Sequence, residues 1–334
     1  MVLKWAEKMK VLITGGVGFI GMHLARYIAK KNIEVVIADK FDDADIESDD
    51  DLVALLQQGN VTYGCVDLLD GRSLNRLGSD YTHIVHLAAI VGVQNVFTGP
   101  YNVLKNNNDL LVNVVDFAKK QENLDRFVFA STSEVYAGTL HHGDLSFPTP
   151  ENSALILPSL SSKRTSYMLS KIYGEALCWQ SDLPFTIIRP HNIYGPRMGM
   201  RHVIPELLKK IANSNNGELG IYSSEHSRTF CFVDDAVKMI FQLLVQNQSV
   251  REIFNVGNEG PEIKMKDLAK LICECVGKDL LVKDLGTHEG SPSRRVPAMD
   301  KLRSFVKLES SVPLYDGIRL CHHWYKKNGY YLTS

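Results

Sequence analysis

The sequence predicts an α/β fold: a doubly wound parallel sheet over residues 9–190, then a smaller mixed α/β lobe over 191–334 that binds the substrate. Three observations carry this. Short, continuous apolar runs alternate with amphipathic helix patterns as far as Pro190. The first run ends in a glycine-rich turn that opens a helix, TGGVGFIG (Thr14 to Gly21). Beyond Pro190 the alternation becomes irregular. Strands that are apolar throughout are buried on both faces, which requires helices above and below a parallel sheet.

The elements run in order along the chain. KVLIT (Lys10 to Thr14) reads as the first strand and FIGMHLARYIAKK as its helix. VVIAD (Val35 to Asp39), NVTYGCVD (Asn60 to Asp67) and HIVHLAA (His83 to Ala89) are the next three strands. A long helix covers Val103 to Lys120, RFVFAST (Arg126 to Thr132) is a fifth strand, and a helix over Tyr167 to Gln180 leads to FTIIRP (Phe185 to Pro190). Later helices are expected at Val203 to Ala212, Asp234 to Gln246 and Met265 to Val276, with a strand at Glu252 to Gly257. Elements over about 228–257 are expected to return to the main sheet. The acidic stretch FDDADIESDDD (Phe41 to Asp51) reads as a solvated loop. Met9 directly precedes the first strand, so residues 1–8 read as an extension or an upstream start.

Composition narrows the function. The chain has 334 residues, 45% hydrophobic and 22% charged, with net charge -1, which argues against a nucleic-acid-binding surface. Its apolar stretches are shorter than the roughly 20 residues a bilayer span needs, and the start shows no secretory signal, so a cytoplasmic protein is expected. Six scattered cysteines form no CxxC pair, and no metal site is predicted.

Chemistry concentrates in two places. Gly15, Gly18 and Gly21 lie three apart, permitting a tight turn, close approach to a pyrophosphate and close helix packing. Asp39, at the end of the second strand, can accept hydrogen bonds from ribose hydroxyls and repel a 2′-phosphate, which favours NAD. Lys40 dissents from that preference. Asp67 suits either the adenine amino group or a structural turn. This is the Rossmann type of doubly wound sheet. Tyr167 and Lys171 are four apart on a helix and share a face. A cation beside the phenol is expected to favour the phenolate, giving a base for a hydroxyl proton.

In this order along the chain, TGGVGFIG, HLAA (His86 to Ala89), STSEVY (Ser131 to Tyr136), SYMLSK (Ser166 to Lys171), RPHNIYGP (Arg189 to Pro196) and RTFCFVDDA (Arg228 to Ala236) resemble the extended short-chain dehydrogenases/reductases, specifically the nucleotide-sugar epimerases and dehydratases. The resemblance implies that Tyr167 takes the sugar C4 hydroxyl proton while hydride moves to NAD. Lys171 would bind the nicotinamide ribose and hold the Tyr167 pKa down, and Thr132 would hydrogen-bond the reacting oxygen. It also implies cofactor contacts from Phe19, Ile20, Leu68, Leu87, Ala88, Ala89 and Pro190, in addition to Gly15, Gly18, Gly21, Asp39, Lys40 and Asp67. Asn192, Arg228 and Arg295 would hold the substrate diphosphate, Arg295 being preferred to Arg294 by its spacing to Pro297. A homodimer through Val103 to Lys120 and Tyr167 to Gln180 is implied as well.

Thr132-Ser133-Glu134 bears on the fate of the oxidised sugar. Glu134 could remove the C5 proton, as elimination of water across C5 and C6 requires. The triplet is similar to that of GDP-mannose 4,6-dehydratases and UDP-glucuronate decarboxylases, whereas Ser133 departs from dTDP-glucose dehydratases by lacking an acid for the C6 hydroxyl. The expected activity is 4,6-dehydration of a nucleotide sugar, with 4-epimerisation and then decarboxylation as alternatives. His141 and His142 read as loop histidines without a role. A cofactor-sensing or scaffold protein is the reading from a different class, and intact Thr132, Tyr167 and Lys171 speak against it.

Overall fold

The computed structural model describes residues 9–215, 217–287, 292–309 and 311–331; residues 1–8 lie outside it. The chain opens with β1 (Lys10–Thr14), α1 (Phe19–Ala29), β2 (Glu34–Asp39), α2 (Asp43–Glu47), α3 (Asp50–Leu56) and β3 (Val61–Cys65). Next come α4 (Gly71–Leu74), β4 (His83–His86), α5 (Val93–Thr98), α6 (Pro100–Ala118), β5 (Arg126–Ala130), α7 (Ala137–His141), α8 (Thr165–Gln180) and β6 (Phe185–Pro190). The remainder holds β7 (Ile193–Tyr194), α9 (Val203–Asn213), β8 (Glu218–Ile221), β9 (Ser227–Arg228), β10 (Cys231–Phe232), α10 (Val233–Val245) and β11 (Glu252–Val256). It ends with β12 (Ile263–Lys264), α11 (Met265–Val276), β13 (Leu281–Asp284), β14 (Arg294–Arg295), α12 (Asp300–Phe305) and α13 (Leu314–Lys327).

Seven strands form one parallel sheet in the order β11-β6-β5-β4-β1-β2-β3. Each strand sends alternate side chains into different cores, as the strand period dictates. Val11, Ile13, Val35, Ile37 and Val85 pack beneath α1 and α10, while Leu12, Val36, Ile84, Phe127 and Phe129 pack beneath α6 and α8. This is the Rossmann-type sheet covered on both faces. Three smaller sheets, β10-β7, β12-β9-β14 and β13-β8, lie outside it.

Several ends move inward from the sequence reading. β5 stops at Ala130 because Thr132 caps a 3₁₀ turn over Ser133–Tyr136, its hydroxyl accepting from the Glu134 N–H at 3.2 Å. β4 stops at His86, after which Leu87 to Ala89 turn toward the glycine-rich segment.

The acidic stretch is a correction: it forms α2 and the start of α3 instead of a loop. Asp42 and Asp45 cap each other's backbone N–H in a capping box, and Asp49 accepts from the Leu52 N–H at 3.1 Å. Carboxylates at helix starts satisfy the orphan N–H groups and oppose the positive end of the helix dipole. Leu52 and Leu55 bury the inner face of α3.

Candidate active site

The sheet order reverses between β1 and β4, the place where an open α/β sheet forms a ligand crevice outside its strand ends. A cavity of about 920 Å³ lies there. Every residue assigned to the cofactor from the sequence lines it, as do Thr132, Ser133, Asn192, Arg228 and Arg295. Glu134 is the one assigned residue that is not on its wall.

The turn after β1 has the shape a pyrophosphate needs. Gly15 has φ +70°, and a side chain there would meet the Ala88 backbone nitrogen at 2.6 Å. Gly18 caps α1 without a side-chain partner, so the first N–H groups of the helix remain open to an anion where Phe19, Ile20 and Gly21 line the cavity. Asp39 accepts from the Lys40 N–H at 2.9 Å and the Val17 N–H at 3.4 Å, and burial raises its carboxyl pKa. A half-buried carboxylate of this kind suits neutral ribose hydroxyls and disfavours a phosphate, so the residues present fit NAD. Asp67 accepts from the Leu69 N–H at 2.9 Å, and its carbonyl accepts from the Ser73 hydroxyl at 2.6 Å; it serves a turn while also reaching the cavity.

Across the cavity, α8 carries Tyr167 and Lys171. Gly174 lets this helix lie close on β5, since a side chain there would come within 2.3 Å of the Phe129 ring. The Lys171 ammonium donates to the Ala130 carbonyl at 2.8 Å and lies 5.9 Å from the centre of the Tyr167 ring. The Tyr167 phenol is hydrogen-bonded to Thr132.

The expected effect of Lys171 on Tyr167 needs correction. Burial pushes the phenol up to about 12, the Thr132 hydrogen bond opposes this, and the Glu134 charge adds to it. Lys171 is itself pushed down to about 8 by burial. Removing charge from water is costly for both groups, and burial is the first cause of each shift.

Behind this trio stands a network that no spacing in the sequence singled out. Glu175 accepts from the Ser131 hydroxyl at 2.5 Å and from Arg189 Nε and Nη2 at 2.8 and 2.6 Å. Arg189 Nη1 donates to the Tyr136 hydroxyl at 2.7 Å. The pair is buried and ties α8 to the ends of β5 and β6. Its available signal was position: Glu175 is four residues beyond Lys171, and Arg189 precedes Pro190.

The other end of the cavity is cationic. β14 pairs with β9 so that Arg295 stands opposite Arg228. Arg228 donates to the Ser227 and Pro292 carbonyls, and burial, with Arg295 adding, lowers it to about 9. Asn192, at φ +42°, donates to the Thr229 carbonyl at 2.9 Å. Arg294 instead forks onto Glu262 away from the cavity. Arg295 Nη2 meets Glu134 Oε1 at 2.5 Å, and Arg295, with Arg164 and Arg228 also contributing, holds the Glu134 carboxyl below the usual range. Arg164 carried no motif signal. His141 and His142 are exposed and off the cavity wall.

A family model for the NAD dependent epimerase/dehydratase family matches residues 11–257. The chain belongs to that family. NAD is therefore its cofactor. Among relatives of this family member, a UDP-N-acetyl-alpha-D-glucosaminuronate decarboxylase of Bacillus cytotoxicus is 28% identical, over 96% of this chain and 98% of that protein. A dTDP-D-glucose 4,6-dehydratase of Dictyostelium discoideum is 29% identical over 79% of this chain, which spans 61% of that protein's length. The structure of a UDP-glucuronic acid 4-epimerase from Bacillus cereus, with UDP-glucuronic acid and NAD, is similar at TM-score 0.82 and 25% identity, covering 96% of this chain and all of that one.

Proposed function

We propose that this family member oxidises C4 of a nucleotide-linked uronic acid and then releases the sugar carboxylate as carbon dioxide. The observation that carries this is the Glu134–Arg295 ion pair, set among Arg164 and Arg228 and close enough for the Glu134 charge to act on the Tyr167 phenol.

Dehydration, favoured by the triplet alone, requires a proton for the departing C6 hydroxyl. Ser133 offers no separate acid, so Glu134, whose pKa Arg295 lowers, would have to pass on to that hydroxyl the C5 proton it removes. Decarboxylation makes no such demand. A ketone at C4 is β to the C6 carboxylate, so the electrons of the breaking C5–C6 bond pass into the C4 carbonyl as carbon dioxide leaves. C5 then takes a proton from solvent, and hydride returns to C4.

Tyr167 receives the O4 proton, with Thr132 holding that oxygen, and gives it back on reduction. Lys171 orients the nicotinamide ribose. NAD, when bound, supplies the hydride acceptor and a positive charge that favours the phenolate. Arg228 and Arg295, with Asn192, hold the diphosphate and the sugar anion, suited by the forked donors of arginine. In this reading residues 9–190 and part of 228–257 carry the cofactor, and 191–334 mainly carry the sugar nucleotide.

The decarboxylase and the 4-epimerase among the relatives both act on sugars with a C6 carboxylate. The likeness to the epimerase supports 4-epimerisation of the same substrate class as the second reading. Mass spectrometry of products from UDP-glucuronate, UDP-N-acetylglucosaminuronate and a panel of GDP-, dTDP- and CDP-sugars tests this. Loss of carbon dioxide is expected; an isomer of unchanged mass would point to epimerisation, and loss of water to dehydration.

A homodimer through the outer faces of α6 and α8 is proposed as well, supported by the exposed Tyr101 and Tyr173 on those helices. Light scattering of the eluted protein tests it, and a monomer mass would refute it.

A further inference from the structure

Arg197 joins four parts of the chain at the glycine-rich turn. It lies in the loop after β7 with φ +68°, a left-handed conformation uncommon for a residue with a side chain. Its side chain is only 13% exposed. Nη1 and Nη2 fork onto the two carboxylate oxygens of Asp49, each at 2.7 Å, and Nη1 is 3.6 Å from Asp51. Nη2 also donates to the Val17 carbonyl at 3.5 Å.

Val17 is the residue of the turn between Gly16 and Gly18, and its own N–H is held by Asp39. The turn is thus gripped from two sides, by the ribose-site carboxylate and by Arg197. Asp51 is fixed in turn by the Trp324 indole N–H of α13 at 2.9 Å and by Arg26 of α1 at 3.8 Å. The neighbouring Met198 carbonyl accepts from the Tyr325 hydroxyl at 2.5 Å. The acidic segment therefore has a place in the architecture: it ties the substrate lobe and the last helix to the phosphate-binding turn.

We propose that Arg197, with Asp49 and Asp51, is a positioning clamp on the glycine-rich turn that keeps NAD bound from one turnover to the next. A reaction that takes hydride from a sugar and returns it to the same sugar fails if the reduced cofactor leaves between the two steps. Clamping the turn from the second lobe opposes that loss without touching the reacting atoms. The proposal rests on the return of hydride to the same sugar, as proposed above, and not on whether carbon dioxide, water or neither is lost in between.

The test measures NAD dissociation from the full-length protein by chasing bound NAD with excess fluorescent etheno-NAD, with no sugar present. Asp49→Asn keeps an N-cap acceptor for Leu52 while removing the charge that Arg197 grips. Asp49→Asn and Arg197→Ala are each expected to release NAD about tenfold faster, the low end of the scale for a lost hydrogen bond to a charged group. Arg197→Lys, which keeps the charge and loses the fork, falls between them and the parent protein. Thermal unfolding with and without NAD separates this from a merely structural pair: the stabilisation conferred by NAD shrinks in the variants. A dissociation rate equal to the parent's in folded Asp49→Asn would overturn the clamp, whichever sugar product the enzyme makes.

Discussion

At the proposed oxidising end of the cavity, Thr132 stands two residues beyond β5, and Tyr167 and Lys171 on the helix packed against that strand. At the cationic end, Arg228 and Arg295 stand on two-residue strands of a small sheet, and Asn192 is a left-handed loop residue. The first arrangement is set by one helix face and by the Glu175–Arg189 pair beneath it. The second exists only because β14 and β9 align in register. In the proposed reading one end removes hydride and proton on a rigid support. The other would choose the substrate on a support that can vary without disturbing the sheet.

Breaking the oxidising end should cost most. Tyr167→Phe removes the group proposed to take the O4 proton, and the expected loss in kcat is about 10³-fold or more, toward the upper end for a general base. Nicotinamide absorbance in a single turnover measures it; near-parent reduction would refute the assignment. Beneath it, Glu175→Ala leaves Arg189 buried without its partner and should destabilise the fold by about 3–5 kcal/mol. Thermal and urea unfolding give that value. A small change there would show that the support is less rigid than its geometry.

The same contrast governs what the sequence disclosed. Tyr167 and Lys171 were legible because helical spacing is local, and the glycine turn because it adjoins a strand and a helix. Arg295 was reached only through resemblance, since no local pattern says that it stands opposite Arg228. Glu175–Arg189, Arg164 and the Arg197 clamp are pairings between distant elements, invisible to periodicity. The phenol of Tyr167 misled for another reason. Proximity to a cation can be read from spacing, but the burial that raises the phenol cannot. The acidic stretch was misread because its charges suggested solvent, whereas Asp42, Asp45 and Asp49 cap helix starts, and Asp49 with Asp51 holds Arg197.

Glu134, off the cavity wall, pairs with Arg295 and acts by its charge on Tyr167, so it tests the division between the two ends. If it acts after C4 oxidation, Glu134→Gln should slow product formation by about 10²-fold, the lower range for a group assisting at the reacting centre, while nicotinamide reduction proceeds. Reduced cofactor would then accumulate during turnover. If reduction itself fell in parallel with product, Glu134 would belong to the oxidising end and the proposed order of steps would be wrong.

The smallest effect is a pH shift. Arg295 is the chief cause of the lowered Glu134 pKa and Arg164 a lesser one. A carboxyl depressed in the folded protein contributes stability above its ordinary pKa and loses it as pH falls through the folded value. Arg164→Gln removes one of the cations, so the folded pKa of Glu134 should rise toward the ordinary value. The acid limb of kcat/KM should move up by less than about one pH unit, equivalent to less than about 1.4 kcal/mol. The acid-unfolding midpoint should move up with it. Arg295→Met should move both further, because it removes the larger cause. If neither variant shifts the acid limb, a group other than Glu134 titrates there. The cationic end would then act without tuning the Glu134 carboxylate.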